Sequence, residues 1–84
     1  MDEKKLIGKV AHYYSKIGVA VVDLEDMLNQ GDRISIEGAT TNIQQSVDSM
    51  QVEHKELATA KKGDSVGLKV SDRVRPGDLV YKVV

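Results

Sequence analysis

The side chains best suited to chemistry are few and lie far apart in this sequence. His12 and His54 are its only histidines, and it has no cysteine. A disulfide scaffold, a thiolate zinc site and a cysteine nucleophile are therefore excluded. Half the chain separates the two histidines, so they lack the short spacing that sets two imidazoles on one metal. His12 falls in an alternating run, on the face of Val10 and Tyr14, and reads as a half-buried structural histidine. His54 sits in the polar stretch Glu53-His54-Lys55-Glu56 and reads as solvated. No serine lies in a G-x-S-x-G frame. No G-x-x-x-x-G-K-[ST] loop is present to cradle a nucleotide phosphate. No catalytic residue, metal, cofactor or nucleotide is expected, and the chain does not read as an enzyme.

Three Gly-Asp pairs remain: Gly31-Asp32, Gly63-Asp64 and Gly77-Asp78. Each precedes a β-rich run. Glycine reaches positive φ without steric cost, and aspartate bonds nearby backbone N–H groups. They read as three turns leading into strands. A metal or phosphate site built on the aspartates is the sharper reading, but they are scattered and no helix N-terminus follows them.

The elements that must carry these residues read as all-β. Lys5 to Tyr14 alternates, with Leu6, Gly8, Val10, His12 and Tyr14 on one face. Ser15-Lys16 is a short hairpin turn. Ile17 to Val22 is apolar on both faces, as expected for a strand that is buried on both sides or sits at a tight place. Leu24 to Gln30 reads as a loop with one helical turn, ended by Gly31. Arg33 to Glu37 alternates again, with Ile34 and Ile36 inward, and Gly38 starts a turn. Asn42 to Glu53 reads as one strand whose parity breaks. A bulge near Asp48-Ser49 would bring Ile43, Val47, Met50 and Val52 to the core together. Glu56 to Ala60 is a short segment, Ser65 to Val70 turns Val66, Leu68 and Val70 inward, and Leu79 to Val84 closes the chain. Six or seven short strands with frequent turn signals predict a small closed β-barrel, since closure removes exposed edges. Gly67, between Val66 and Leu68, is expected where a neighbouring group comes close.

Composition agrees. The 84 residues are 40% apolar and 30% charged, which fits one folded domain over 1–84 and not a disordered chain. No apolar run approaches the ~18 residues of a membrane helix. The charged start leads into no signal-peptide core, so a cytoplasmic monomer is expected. The net charge is −1, too little for nucleic-acid binding on bulk charge. The excess of base over acid falls in 61–84, with Lys61, Lys62, Lys69, Arg73, Arg75 and Lys82.

The stretch from Ser46 to Val70, SVDSMQVEHKELATAKKGDSVGLKV, resembles the second domain of translational GTPases such as elongation factor Tu and elongation factor 1-alpha. There, a strand of the type V-x-S-[apolar]-[EQ] leads to A-x-x-G-D-x-V-G-[apolar]. Ile7-Gly8-Lys9-Val10 with Gly18-Val19-Ala20 resembles its opening hairpin. Leu28 to Ile36 resembles its L-x-x-G-D-x-[IV]-x-[IV] element, and Val74 to Val80 its V-x-x-G-D-[apolar]-[apolar] closing element. The pattern also resembles the C-terminal barrel of the collagenase-like peptidase family, some of whose members modify RNA. Both resemblances imply a barrel of the translation-factor second-domain type.

The elongation-factor resemblance implies a non-catalytic binding module for RNA, tRNA or the translation machinery. Its acceptor-end contacts fall on Gln51, His54 and Ser65. Lys61, Lys62, Arg73 and Arg75 are the candidate phosphate contacts by charge. Tyr13 and Tyr14 point to opposite faces of a strand, so one of them is the candidate stacking platform. The alternative is a protein–protein docking barrel, or a subunit completing a partner enzyme, with Met27 and Tyr13 as candidate partner contacts.

Overall fold

The computed structural model describes residues 3–48, 50–52 and 55–83. Among these the chain forms β1 (Lys4–Tyr14), β2 (Val19–Leu24), β3 (Leu28–Asn29), β4 (Arg33–Glu37), β5 (Asn42–Ser46), β6 (Met50–Val52), β7 (Lys55–Leu57), β8 (Thr59–Ala60), β9 (Ser65–Lys69) and β10 (Leu79–Val83). Eight of them make one sheet in the order β5-β4-β10-β1-β2-β9-β6-β7, and β3 pairs with β8. Every pairing is antiparallel.

The all-β expectation holds, while a closed barrel is not found among the described residues. Among the described residues the sheet ends on β5 and β7 with no backbone ladder joining them. The inner face still wraps one apolar cluster, including Ile7, Val10, Leu28, Ile34, Ile36, Met50, Leu68 and Val80.

Two bulges in β1 set which side chains face that cluster. The register shifts between Leu6 and Gly8 against β10, and between Val10 and His12 against β2. Each extra residue reverses the parity beyond it and adds twist. Ile7 and Val10 are buried, whereas Leu6, His12 and Tyr14 are exposed. This corrects the reading that Leu6, Gly8, Val10, His12 and Tyr14 share one face.

Three other expectations change. The hairpin turn spans Ser15–Gly18 and not two residues, with Gly18 at φ 66 and its N–H on the Tyr14 carbonyl at 2.9 Å. Ile17 is thereby left outside the strand. Leu24–Gln30 holds no helical turn, because β2 runs to Leu24 and Leu28–Asn29 pairs with Ala60–Thr59. Asn42–Glu53 is two strands and not one bulged strand: β5 pairs with β4, and β6 with β9 at the far end of the sheet. Val47 and Met50 are buried and Ile43 and Val52 pack on the core, so the inward set is as expected. Ser49 and Glu53 lie outside the described residues.

The Gly-Asp pairs are three copies of one turn. Gly31, Gly63 and Gly77 have φ of 93, 93 and 95. The aspartate that follows accepts the N–H of the turn's first residue: Asp32 from Asn29 at 2.9 Å, Asp64 from Lys61 at 3.1 Å, Asp78 from Arg75 at 2.8 Å. Positive φ at the third position, with Pro76 at the second position of the last copy, fits a type II turn. Each carboxylate serves its own turn, and Asp32 also lies 3.7 Å from the Lys82 ammonium. Among the described residues no group of three or more His, Asp or Glu is placed to hold a metal, and no helix is long and apolar enough to cross a membrane.

Candidate docking surface

A strand in a half-solvated antiparallel sheet is usually apolar on one face only. β2 breaks that rule. Ala20, Val22 and Leu24 fill the core, while Val19 and Val21 on the other face remain half-buried. The register extends this outer face across β1, β2 and β9 to β6. Tyr14, Val19 and Lys69 form one cross-strand row, and His12, Val21, Gly67 and Gln51 the next. Gly67 keeps the floor open: a Cβ there would lie 3.3 Å from Val19 Cγ1 and 3.7 Å from the Gln51 carbonyl oxygen. Gly67 thus stands at a close approach, as its sequence position suggested.

The Ser15–Gly18 turn raises the rim of this face. Ile17 is 62% exposed and Tyr14 49%. The Tyr14 ring leans on His12, with centroids 4.5 Å apart and planes at 59°. A hollow of about 290 Å³ is lined by Tyr13, Tyr14, Ser15, Lys16 and Ile17. Tyr13 turns inward and packs against the core. Tyr14 is therefore the exposed member of the pair, because the bulge before His12 set the parity. Met27 is exposed too, but it follows the other end of β2, about 20 Å away along six strand residues. The two sequence-derived partner contacts, Met27 and Tyr13, do not meet. Val19, Val21 and Ile17 were not singled out from the sequence as members of an exposed face. The signal for them was the two-sided apolar run, read as burial.

The candidate RNA contacts do not assemble. Lys61 and Lys62 precede β9 and Arg73 and Arg75 follow it, so roughly 16 Å of strand lies between the two pairs. Arg73 and Arg75 instead line a shallow hollow with Thr40, Thr41 and the acidic Asp72. Ser65 donates its hydroxyl to Asp23 Oδ1 at 2.6 Å, so a carboxylate occupies the supposed acceptor-end site. Gln51 is exposed on the outer face. His54 lies outside the described residues.

No family model matches the chain. It is 46% identical over 76 residues to an uncharacterized protease of Methanocaldococcus jannaschii, covering 89% of this chain and 19% of that protein. It is 37% identical over 82 residues to a collagenase of Porphyromonas gingivalis, covering 95% of this chain and 23% of the collagenase. The crystal structure of the C-terminal domain of a Geobacillus thermoleovorans protein assigned to the U32 peptidases superposes with a TM-score of 0.87 at 25% identity, covering 93% of this chain and 91% of that one.

The chain is similar to the C-terminal domain of a U32 peptidase. Of the two resemblances read from the sequence, the collagenase-like one stands. The elongation-factor one is not supported, and the role in translation or RNA binding drawn from it is overturned. These relatives are a protease, a collagenase and a peptidase domain. The chain spans about a fifth of the length of the curated relatives it matches.

Proposed function

We propose that this chain is a docking domain for a peptidase-type catalytic body and takes no part in bond cleavage itself. The observation that carries the reading is its coverage. Nearly the whole chain aligns with proteins named protease and collagenase, yet it accounts for only 19% and 23% of their lengths. The remaining four fifths is the partner to which such a domain belongs, fused or separate. The outer face of β1, β2 and β9 is the surface we assign to that contact. Its Tyr14, Ile17, Val19 and Val21 offer apolar area with one aromatic anchor, the composition of an interface centre. Lys16 and Lys69 at its edge favour an acidic rim opposite.

A photo-crosslinking phenylalanine analogue placed at Ile17, with Lys62 as control site, tests the assignment in extracts of the native cells. The expected product is an adduct from position 17 to a polypeptide homologous to the uncovered part of the relatives, absent from position 62. Adducts of equal yield from both sites, or from position 17 to proteins unrelated to the peptidases, would remove the proposal.

A further inference from the structure

The break in the sheet leaves a slot. Among the described residues β5 pairs along one edge, with β4, and β6 pairs with Leu68 and Gly67. Past these two, Lys69 and Ser71 turn backbone groups toward β5. Between them lies a cleft of about 290 Å³ lined by Gln45, Ser46, Asp48, Lys69, Val70 and Ser71. Gln45 bridges it. Its Nε2 donates to the Lys69 carbonyl oxygen at 2.8 Å, and its Oε1 accepts the Ser71 N–H at 2.8 Å.

One amide thus serves the carbonyl of one residue and the N–H two positions further on. A strand residue in a parallel ladder bonds its neighbour in the same way. The side-chain carboxamide offers the donor and acceptor of a peptide group. Gln45 also stands on the inward row of β5, opposite the buried Ile34. A polar side chain there is explained by the two backbone groups it reaches.

We propose that the cleft between β5 and Lys69–Ser71 is a slot for one extended polypeptide segment, recognised through its backbone. Gln45 holds the slot's hydrogen-bonding groups until the segment displaces it. An added strand would extend a sheet edge, the common mode of peptide recognition by sheets. The walls carry Ser46, Asp48, Lys69 and Ser71, so the segment's side chains on that face are small or polar. The slot shares Lys69 with the edge of the docking face but does not rest on that assignment.

The test is a 15N NMR titration of the full chain with the capped peptide Ac-Thr-Val-Thr-Lys-Thr-Val-Thr-NH2. The control is the same peptide with alternate amides N-methylated. Saturable shifts of the Ser71 N–H and the Gln45 carboxamide are expected with the first peptide and not the second. Gln45→Ala removes the internal competitor and is expected to tighten binding roughly tenfold. If that variant fails to fold, the comparison of the two peptides on the native chain decides alone. No saturable shift, shifts that spare Ser71, or equal binding of the N-methylated peptide would overturn the slot and leave Gln45 as a fixed lock on the sheet edge.

Discussion

Gly8→Ala is expected to be one of the most damaging single-methyl additions in this chain, and Gly67→Ala one of the mildest. Both glycines lie in strands and neither has a positive φ. Alanine therefore brings the usual gain over glycine in a strand, ~0.5–1 kcal/mol. The difference lies in what the new methyl meets. At Gly8 it would lie 2.7 Å from the backbone carbonyl oxygen of Asp23 and 2.9 Å from Val22 Cγ1. A backbone atom paired in the β1–β2 ladder cannot turn aside, so the strands must part at the bulge. Overpacking costs ~1–3 kcal/mol, and a clash with backbone belongs to the upper part of that range, about 2–3 kcal/mol; less a gain of ~1 kcal/mol, Gly8→Ala is less stable by about 1–2 kcal/mol. For a domain of this size that lowers Tm by roughly 4–16 °C. At Gly67 the nearest atom is Val19 Cγ1 at 3.3 Å, the tip of a half-exposed side chain. A small shift of that valine accommodates the methyl, and the net change is expected within about 0.5 kcal/mol. Thermal and urea unfolding followed by circular dichroism, with both variants beside the parent, reads the contrast. A Gly8→Ala midpoint within roughly 2 °C of the parent would refute the placement of the first bulge. So would a larger loss at Gly67 than at Gly8.

Leu28 is fully buried where β3 meets β8, so Leu28→Ala is expected to cost ~2–5 kcal/mol, lowering the urea midpoint with little change in slope. Its exposed neighbour Met27 is the contrast, with Met27→Ala expected within about 0.5 kcal/mol of the parent. Ile17→Asp is likewise expected to leave the unfolding midpoint nearly unchanged while abolishing crosslinks from a reporter at Tyr14 to the peptidase body. Retained crosslinking would show that the hairpin rim does not dock. The Glu37 carboxyl is held below its ordinary value by the hydrogen bond from the Lys4 ammonium, then by that from the Ser35 hydroxyl. A carboxyl depressed in the folded state contributes stability above its unfolded pKa, and the contribution is lost as pH falls through the folded one. Lys4→Met is expected to return the Glu37 titration toward its ordinary value in 13C NMR, with a small effect on stability because the pair is exposed. An unmoved titration would show that Lys4 does not set it.

Much of this molecule was legible in the sequence because the signals are local. The turn at Arg75-Pro76-Gly77-Asp78 needs only a glycine free to take positive φ and a carboxylate three residues after the first N–H, and both lie within four positions. The alternation of Val66, Leu68 and Val70 likewise states which face is buried before any partner is known. The set Ile43, Val47, Met50 and Val52 was recognisable as inward even though its strand was misdrawn, since burial follows apolar character whichever ladder carries it.

What only the tertiary structure decided is parity, pairing and which apolar face stays uncovered. The bulges after Leu6 and Val10 leave no mark in composition, because an extra residue is created by the partner strand's register and not by its own side chain. They sent Leu6, His12 and Tyr14 outward and turned Tyr13 in. The cations at Lys61, Lys62, Arg73 and Arg75 are close in sequence, yet β9 holds the two pairs apart. Val19 and Val21 looked like core because a two-sided apolar strand is the same string of letters whether its second face meets this chain or another. Gln45 looked like an ordinary polar strand residue. Its role at the slot exists only because β5 and the end of β9, distant along the chain, come within reach of one side chain.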